Sequence, residues 1–250
     1  MSGCRLEARE ITKAFGGVTA VDNVSFTAEA GSITGIVGPN GAGKTTLFNL
    51  LTGVYTADRG DLVIGGTAVT RSGWQPHKIA RLGVARTFQS ARVFPNLDVF
   101  DNVLVGAENA GHAPDGKRRH RIGRIPGGIF RGGDPPYPPR GKSPAERAAE
   151  VTALLTALNL AERWHDAAST LPAGSQKVVE LARVLLARPK ALLLDEPASG
   201  LSETETSRLA DTLVAVRDLG VTVVLVDHNL RLVMGICDKV VVMDAGKVIA

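Results

Sequence analysis

Apolar positions along the chain fall into alternating segments and short continuous runs, and together they predict an α/β protein. The spacing of apolar residues in Arg5–Glu10 and Val18–Ala28 predicts strands that bury one face. Asp61–Val69 predicts a hairpin, because Gly65-Gly66 at its centre suits the positive φ angles of a tight turn. The first part of the chain is therefore expected to contain an antiparallel β layer.

A second set of strands is predicted further along the chain. Two of its members are apolar throughout their centres, which is typical of a parallel sheet covered on both faces. The predicted strands are Ser32–Val37, Val84–Gln89, Lys190–Asp195, Val221–Asp227, Lys239–Met243 and Gly246–Ile249. Polar residues that directly follow such strands gather at one edge of the sheet, where ligands bind.

Periodic apolar positions and capping residues predict the helices. Ser143–Glu146 and Ser202–Glu205 are capping boxes, in which a serine hydroxyl and a glutamate side chain bond backbone N–H groups reciprocally. From Val178 onward, apolar residues recur at i, i+3, i+4 and i+7 and predict one buried helix face. Helices are expected at 46–51, Val99–Ala107, Ser143 to Leu158, from or just after Gly174, and from Ser202 to Gly220.

Composition limits the possible classes of protein only loosely. The chain has 250 residues, of which 44% are hydrophobic and 22% charged, enough for a complete core. No run reaches the roughly 18 apolar residues of a membrane span, and the first residues lack the apolar block of a signal peptide, so a cytosolic location is expected. A net charge of +4 gives no reason to expect a nucleic-acid partner. Cys4 and Cys237 lie far apart and predict neither a disulfide framework nor a metal site.

One basic, proline-rich segment, at about residues 110–142, departs from the rest of the chain. From Lys117 to Lys142 there are eight lysine and arginine residues and one acidic residue, Asp134. Few apolar residues and many prolines predict an irregular excursion. It is either a solvated loop or a basic contact with anionic lipid headgroups or with a partner's cytosolic surface.

The nine residues from Gly38 to Thr46 contain the phosphate-loop pattern G-x-x-x-x-G-K-[ST]. They are Gly38, Pro39, Asn40, Gly41, Ala42, Gly43, Lys44, Thr45 and Thr46. Glycines let consecutive backbone N–H groups surround phosphates, and the following helix presents the positive end of its dipole. Lys44 is expected to reach the β- and γ-phosphates, and the Thr45 hydroxyl to coordinate Mg²⁺. A strand before the loop and an apolar helix after it favour a nucleotide site over an ordinary glycine-rich turn.

Two carboxylates follow the apolar strand that begins at Lys190. We expect Asp195 to hold the Mg²⁺ shell and Glu196 to orient or deprotonate an attacking water. His228 ends the next predicted strand and can offer a ring N–H to a terminal phosphate, although a single histidine is often structural. Phe15, at the Gly16-Gly17 turn, either belongs to the core or presents its ring to a flat ligand. Gln89 at a strand end is either a solvated surface residue or part of the site.

The order of these motifs resembles that of the ATP-binding cassette (ABC) ATPases over essentially the whole chain. The resemblance implies a RecA-like P-loop core, at residues 1–90 and 170–250, with an inserted helical subdomain at 91–169. It also implies that Phe15 stacks on adenine, that Gln89 touches Mg²⁺ and water and signals to membrane partners, that Glu196 is the catalytic base, and that His228 is the switch histidine.

The family mechanism implies partners. Two such domains pack head to tail, so each ATP lies between the phosphate loop of one and the signature stretch, Leu171–Gln176, of the other. Leu171, Ala173, Gly174, Ser175 and Gln176 are therefore expected to contact the nucleotide of a second ATPase subunit. The pair would drive integral-membrane permease subunits, and indirectly serve a periplasmic or extracellular binding protein, from the inner face of the membrane.

Within the family, the segments Phe15–Val21, Asp195–Leu201 and His228–Ile236 look like those of branched-chain amino-acid importers. Urea-type and lipopolysaccharide-export ATPases share much of this pattern and stay open as alternatives. A soluble ABC protein usually carries two cassettes or a long coiled coil, and neither is found here. A non-hydrolysing nucleotide-binding module would lack Lys44 or Glu196, and both are present.

Three positions depart from the family pattern. Pro172 replaces the serine of the Leu-Ser-Gly-Gly-Gln signature, Ser175 replaces its glutamine, and Ser202 stands where Asp or Asn is usual. All three belong to the face that is contributed to the partner, whereas the residues serving this chain's own ATP match the family. The departures suggest the hypothesis of an asymmetric heterodimer, in which the site completed by Leu171–Gln176 is the weaker one.

Overall fold

The computed structural model describes residues 3–87, 92–108 and 143–250. Within these ranges the chain alternates between strands and helices. The strands are β1 (Leu6–Phe15), β2 (Val18–Ala28), β3 (Ile33–Val37), β4 (Arg59–Ile64), β5 (Thr67–Val69), β6 (Val84–Arg86), β7 (Ala191–Asp195), β8 (Thr222–Val226), β9 (Lys239–Asp244) and β10 (Lys247–Val248). The helices are α1 (Lys44–Leu51), α2 (Pro76–Arg81), α3 (Val99–Glu108), α4 (Pro144–Ala157), α5 (Ala173–Leu186), α6 (Glu203–Asp218) and α7 (Leu230–Ile236).

Four strands form the predicted antiparallel layer, in the order β2-β1-β4-β5. Strand β1 pairs with β2 through the turn at Gly16-Gly17, which joins Phe15 to Val18. Strands β4 and β5 pair through Gly65-Gly66. One face of this layer is buried, because alternate residues of β1, among them Leu6 and Ala8, are almost fully inaccessible to solvent.

Six strands form the second sheet, in the order β10-β9-β3-β8-β7-β6. Strands β9, β3, β8, β7 and β6 run parallel, and β10 is antiparallel at one edge. Successive residues of the central strands enter different cores: Val224 and Val226 pack with α1 and the antiparallel layer, whereas Val223 and Leu225 pack with the later helices. Burial on both faces explains why these strands are apolar throughout.

The antiparallel layer and the mostly parallel sheet agree with the predicted fold class. Both predicted capping boxes are also present. Ser143 accepts a hydrogen bond from the Glu146 N–H and Ser202 accepts one from the Glu205 N–H. The helix expected from Gly174 begins one residue earlier, at Ala173, because Pro172 serves as its N-cap and its carbonyl accepts the Gln176 N–H at 3.0 Å. The helices α2 and α7 were not predicted.

Two expectations fall on residues that lie outside the described ranges, Gln89 and the basic segment 110–142. The division into a core and a helical subdomain stays a prediction. Among the helices that the structure describes, none has both the length and the apolar character needed to cross a membrane.

Burial of Cys4 and partial burial of Cys237 should make both thiols unreactive. Desolvation raises the pKa of the Cys4 thiol, and burial together with the nearby Asp238 carboxylate raises that of Cys237 to about 12. A raised pKa keeps a thiol protonated, and the thiolate is the reactive form. At about pH 8 we expect Ellman's reagent to react about tenfold or more slowly with the folded chain than with free thiol. Both thiols should react after unfolding in guanidinium chloride. Rapid modification of the folded chain would contradict this packing.

Candidate active site

The phosphate loop joins the end of β3 to α1, and glycine is required at both of its ends. A Cβ on Gly38 would lie 2.1 Å from the Met243 carbonyl oxygen, and one on Gly43 would lie 2.2 Å from that of Ala20. Gly43 also has a φ of +93°, which L side chains rarely adopt. The loop is therefore packed against the backbone of β9 and β2, and its path depends on the absence of side chains there.

Lys44 is the first residue of α1 and is almost fully buried. Its Nζ donates hydrogen bonds to the carbonyls of Gly38 and Pro39 at 2.7 and 2.8 Å, which compensate its ammonium for lost hydration. Burial lowers the pKa of Lys44, and the negative charge of Glu196 opposes that shift. The same interaction shows that Glu196, 152 positions later in the sequence, lies within electrostatic reach of the loop.

A cleft of about 220 Å³ lies over the loop and brings distant parts of the chain together. It is open to solvent, as a nucleotide site must be. Its lining consists of Ala20, Asn40, Gly41, Ala42, Gly43, Lys44, Thr45, Thr46, Glu196 and His228. Lys44, Glu196 and His228 thus line one cleft, as their positions after neighbouring strands predicted. Asp195, which was expected to join them, is not among the lining residues.

Glu196 and His228 contact each other at the rim of this cleft. Nε2 of His228 lies 3.0 Å from Oε1 of Glu196. An ionised carboxylate can only accept hydrogen bonds, so this contact is a hydrogen bond when Nε2 carries the ring proton. The imidazole is about half exposed and the carboxylate about a quarter exposed. Both groups can therefore meet a bound molecule while orienting each other.

Asp195 makes a contact that the sequence did not reveal. Its Oδ2 accepts a hydrogen bond from Arg86 at 2.8 Å, and the same guanidinium donates to Oδ1 of Asn49 in α1 at 2.7 Å. Arg86 ends β6, and its bonds to Asp195 and Asn49 connect β6 with β7 and α1. Both side chains of the Arg86–Asp195 pair are more than four-fifths buried, where such charge-assisted bonds are strong.

Phe15 is 41% exposed and therefore does not belong to the core, which favours the second of the two sequence interpretations. Its ring meets that of Tyr55 edge to face, with the centroids 5.1 Å apart. Asp58 holds the preceding residues, since its carboxylate accepts bonds from the Ala14 N–H and the Lys13 ammonium, each at 2.8 Å. Tyr55 and Asp58, which follow α1, therefore support the exposed turn that carries Phe15. Tyr55 was not predicted from the sequence, because no motif contains it.

The signature stretch does not line this cleft. Leu171 is buried, Pro172 and Ala173 are exposed, and Gln176 donates from Nε2 to the Leu171 carbonyl at 2.9 Å. Gly174 is buried, and Ser175 and Gln176 are partly exposed. Pro172 and Ala173, at the start of α5, are therefore available to another molecule rather than to the cleft of their own chain.

Comparison with known proteins identifies the family. Residues 21–199, more than two thirds of the chain, match the sequence profile of the ABC transporter family. The chain belongs to the ABC transporter family. Along its full length this ABC protein is 37% identical to the high-affinity branched-chain amino acid transport ATP-binding protein BraF of Pseudomonas aeruginosa, of which it covers 92%. It is 35% identical to LivG, a relative with the same description in Escherichia coli K12, again covering 92% of it.

Solved ABC structures share the fold of the chain. A crystal structure of an ATP-binding cassette of an ABC transporter in its ADP conformation has a TM-score of 0.78 and 28% identity, covering 100% of this chain and 91% of the other. The cbiO1 protein of Clostridium perfringens, part of the transporter complex cbiONQ, has a TM-score of 0.79 and 25% identity, covering 98% and 86%. The family and the fold class predicted from the sequence are confirmed.

Replacement of Gly43 by alanine should damage both the fold and the nucleotide site of this ABC protein. The left-handed φ alone costs about 1–2 kcal/mol, and the overlap with the Ala20 carbonyl adds to it. Gly66→Ala is the matched control, since Gly66 also has a positive φ but has no atom within 4 Å of the added Cβ. We expect Gly43→Ala to unfold at lower urea concentration than Gly66→Ala and to bind ATP at least about tenfold more weakly. Equal urea midpoints and equal ATP affinities would contradict the packing described for the loop.

Proposed function

We propose that the protein is the ATP-hydrolysing subunit of an importer of branched-chain or related amino acids. One observation carries the proposal: Lys44, Glu196 and His228, from three separate elements, line one cleft over the phosphate loop. The full-length identity to two branched-chain amino acid transport ATP-binding proteins supports the substrate class.

The phosphates of ATP would bind where backbone N–H groups and the N-terminus of α1 face the cleft. Lys44 would exchange its bonds to the Gly38 and Pro39 carbonyls for bonds to the β- and γ-phosphates, which restores the compensation of its buried charge. The exposed Phe15 ring would stack on the base.

Mg²⁺ fits the residues that are present. Thr45 lines the cleft and offers a hydroxyl. Asp195 ends β7 next to Glu196, does not line the cleft and is bonded to Arg86, and its carboxylate is proposed to hold the Mg²⁺ shell from there. Mg²⁺ prefers such oxygen ligands and takes its remaining ones from phosphates and water. No group of three or more His, Cys, Asp or Glu side chains suited to a metal occurs within the described ranges, and a phosphate-bound Mg²⁺ requires none. When bound, the ion would neutralise phosphate charge. Gln89 is proposed to touch it as well.

Hydrolysis requires a water placed in line with the γ-phosphate. Glu196 would accept its proton or orient it, and His228, whose Nε2 faces the Glu196 carboxylate, would hold that carboxylate and offer a contact to the phosphate. The Glu196 N–H donates to the Val226 carbonyl at 2.8 Å, which anchors the base to the neighbouring strand.

A second ATPase subunit would complete the site. The signature stretch exposes Pro172 and Ala173 and does not line the cleft of its own chain, so it is proposed to close over the nucleotide of a partner subunit. Closure and reopening of the pair would move permease subunits at the inner face of the membrane, in a cycle fed by an external binding protein.

Glu196→Gln tests the proposed chemistry, because an amide cannot take a proton from water. We expect phosphate release from ATP to fall by about 100-fold to 10,000-fold, while ATP binding changes by less than about twofold. Glu203→Gln is the matched control, since Glu203 carries out no proposed step and its side chain is 95% exposed. Phosphate release by the Glu196→Gln variant at the wild-type rate would contradict the assignment of the base.

The weak signature predicts an asymmetric pair. Pro172 has no hydroxyl and no N–H for a γ-phosphate, and its carbonyl is already used within α5. In the co-purified heterodimer we expect Glu196→Gln in this chain to remove most of the turnover, because its own site is intact. The corresponding substitution in the partner should remove much less. Equal losses from the two substitutions would rule out the asymmetry.

A further inference from the structure

The turn that follows β7 places Glu196 in an unusual backbone conformation. Glu196 has a φ of +47°, in the left-handed region that L residues rarely adopt. The Ser199 N–H donates to the Glu196 carbonyl at 3.1 Å, which closes a turn over residues 196–199. A residue in this conformation persists only where its surroundings hold it.

Two side chains from other elements hold this turn. Nζ of Lys177 donates to the carbonyl of Pro197 at 2.9 Å and to that of Ser199 at 2.6 Å. The N–H of Ala198, between them, donates to Oδ2 of Asp227 at 2.9 Å. The turn is therefore held by hydrogen bonds to the Lys177 ammonium of α5 and to the buried Asp227 carboxylate that follows β8.

Lys177 is placed for this role by its surroundings. Burial lowers its pKa, and the carboxylates of Asp227, Glu180, Glu196 and Glu205 act against that shift. A small, partly open cavity beside it is lined also by Leu194 and Pro197, on the strand and turn that carry the site. A partly desolvated ammonium keeps its position through its hydrogen bonds, so its contacts with the two carbonyls are specific rather than incidental.

The helix that carries Lys177 begins within the signature stretch. Lys177 directly follows Gln176, in the second turn of α5. A second connection runs from the Gly174 N–H to Oε1 of Glu205 near the start of α6, at 3.3 Å. The helix that begins in the signature stretch is thus bonded through Lys177 to the turn that carries Glu196 and through Gly174 to the start of α6.

We propose that Lys177 is a positioning residue for Glu196: it fixes the 196–199 turn to the helix that begins in the signature stretch. Lys177 touches neither the cleft nor a reacting atom, and it acts through the Pro197 and Ser199 carbonyls. The role rests on the proposed function, in which Glu196 is the base for ATP hydrolysis.

The test compares Lys177→Met, Lys177→Arg and Lys78→Met in the full chain. Lys78→Met is the matched control, because Lys78 also donates from Nζ to a backbone carbonyl, that of Ser72, but on a surface far from the turn in sequence. We expect Lys177→Met to lower kcat for phosphate release by about tenfold or more and to leave KM for ATP within about twofold. Lys177→Arg should recover most of kcat, since a guanidinium can also donate to two carbonyls.

Hydrogen exchange gives a readout that does not depend on turnover. In Lys177→Met, amides of residues 196–202 should exchange about tenfold faster than in the wild type, whereas those of residues 38–51 should not change. Lys78→Met should change neither. Wild-type exchange in Lys177→Met would overturn the inference, and so would an unchanged kcat or a loss of ATP affinity as large as the loss in kcat. Absence of phosphate release from the wild-type chain would instead contradict the proposed function, and the exchange measurement would still test the positioning by Lys177.

Discussion

The site depends on one constraint, the register of the parallel strands. Strands β3, β8 and β7 are neighbours, and Asp195 pairs with Val226 at the ends of the last two. The phosphate loop, Glu196 and His228 follow these ends directly or within two residues, so they gather at one edge of the sheet. A slip of one residue would turn every side chain of a strand to the opposite face and exchange the residues packed in the two cores, which their close packing opposes.

Electrostatic compensation is the second feature of the site. Lys44 is bonded to loop carbonyls, Asp195 to Arg86, and Glu196 to His228, so each charged group near the cleft has a partner within hydrogen-bond distance. Such pairing matters because a buried charge is costly without it. Phosphate oxygens provide Lys44 with an equivalent partner, and binding can therefore proceed by exchange of hydrogen bonds rather than by exposure of a bare charge.

Sequence reasoning succeeded where local chemistry determines structure. The phosphate loop, the two capping boxes and the glycine hairpin turns are set by residues within a few positions of one another. It failed for α2 and α7, which have only six and seven residues and give little periodicity. The Arg86–Asp195 pair spans 109 positions, and the contacts of Lys177 with the turn span 20 and 22. Only the topology brings such residues together, and no sequence motif marks them.

The most direct measurement is a crystal structure of the chain with ATP and Mg²⁺. The account predicts that the triphosphate lies in the cleft over the phosphate loop, that Lys44 Nζ has moved from the Gly38 and Pro39 carbonyls to phosphate oxygens, and that Glu196 and His228 face the γ-phosphate. A nucleotide bound elsewhere, or one in the cleft with Lys44 still bonded to those carbonyls, would contradict it.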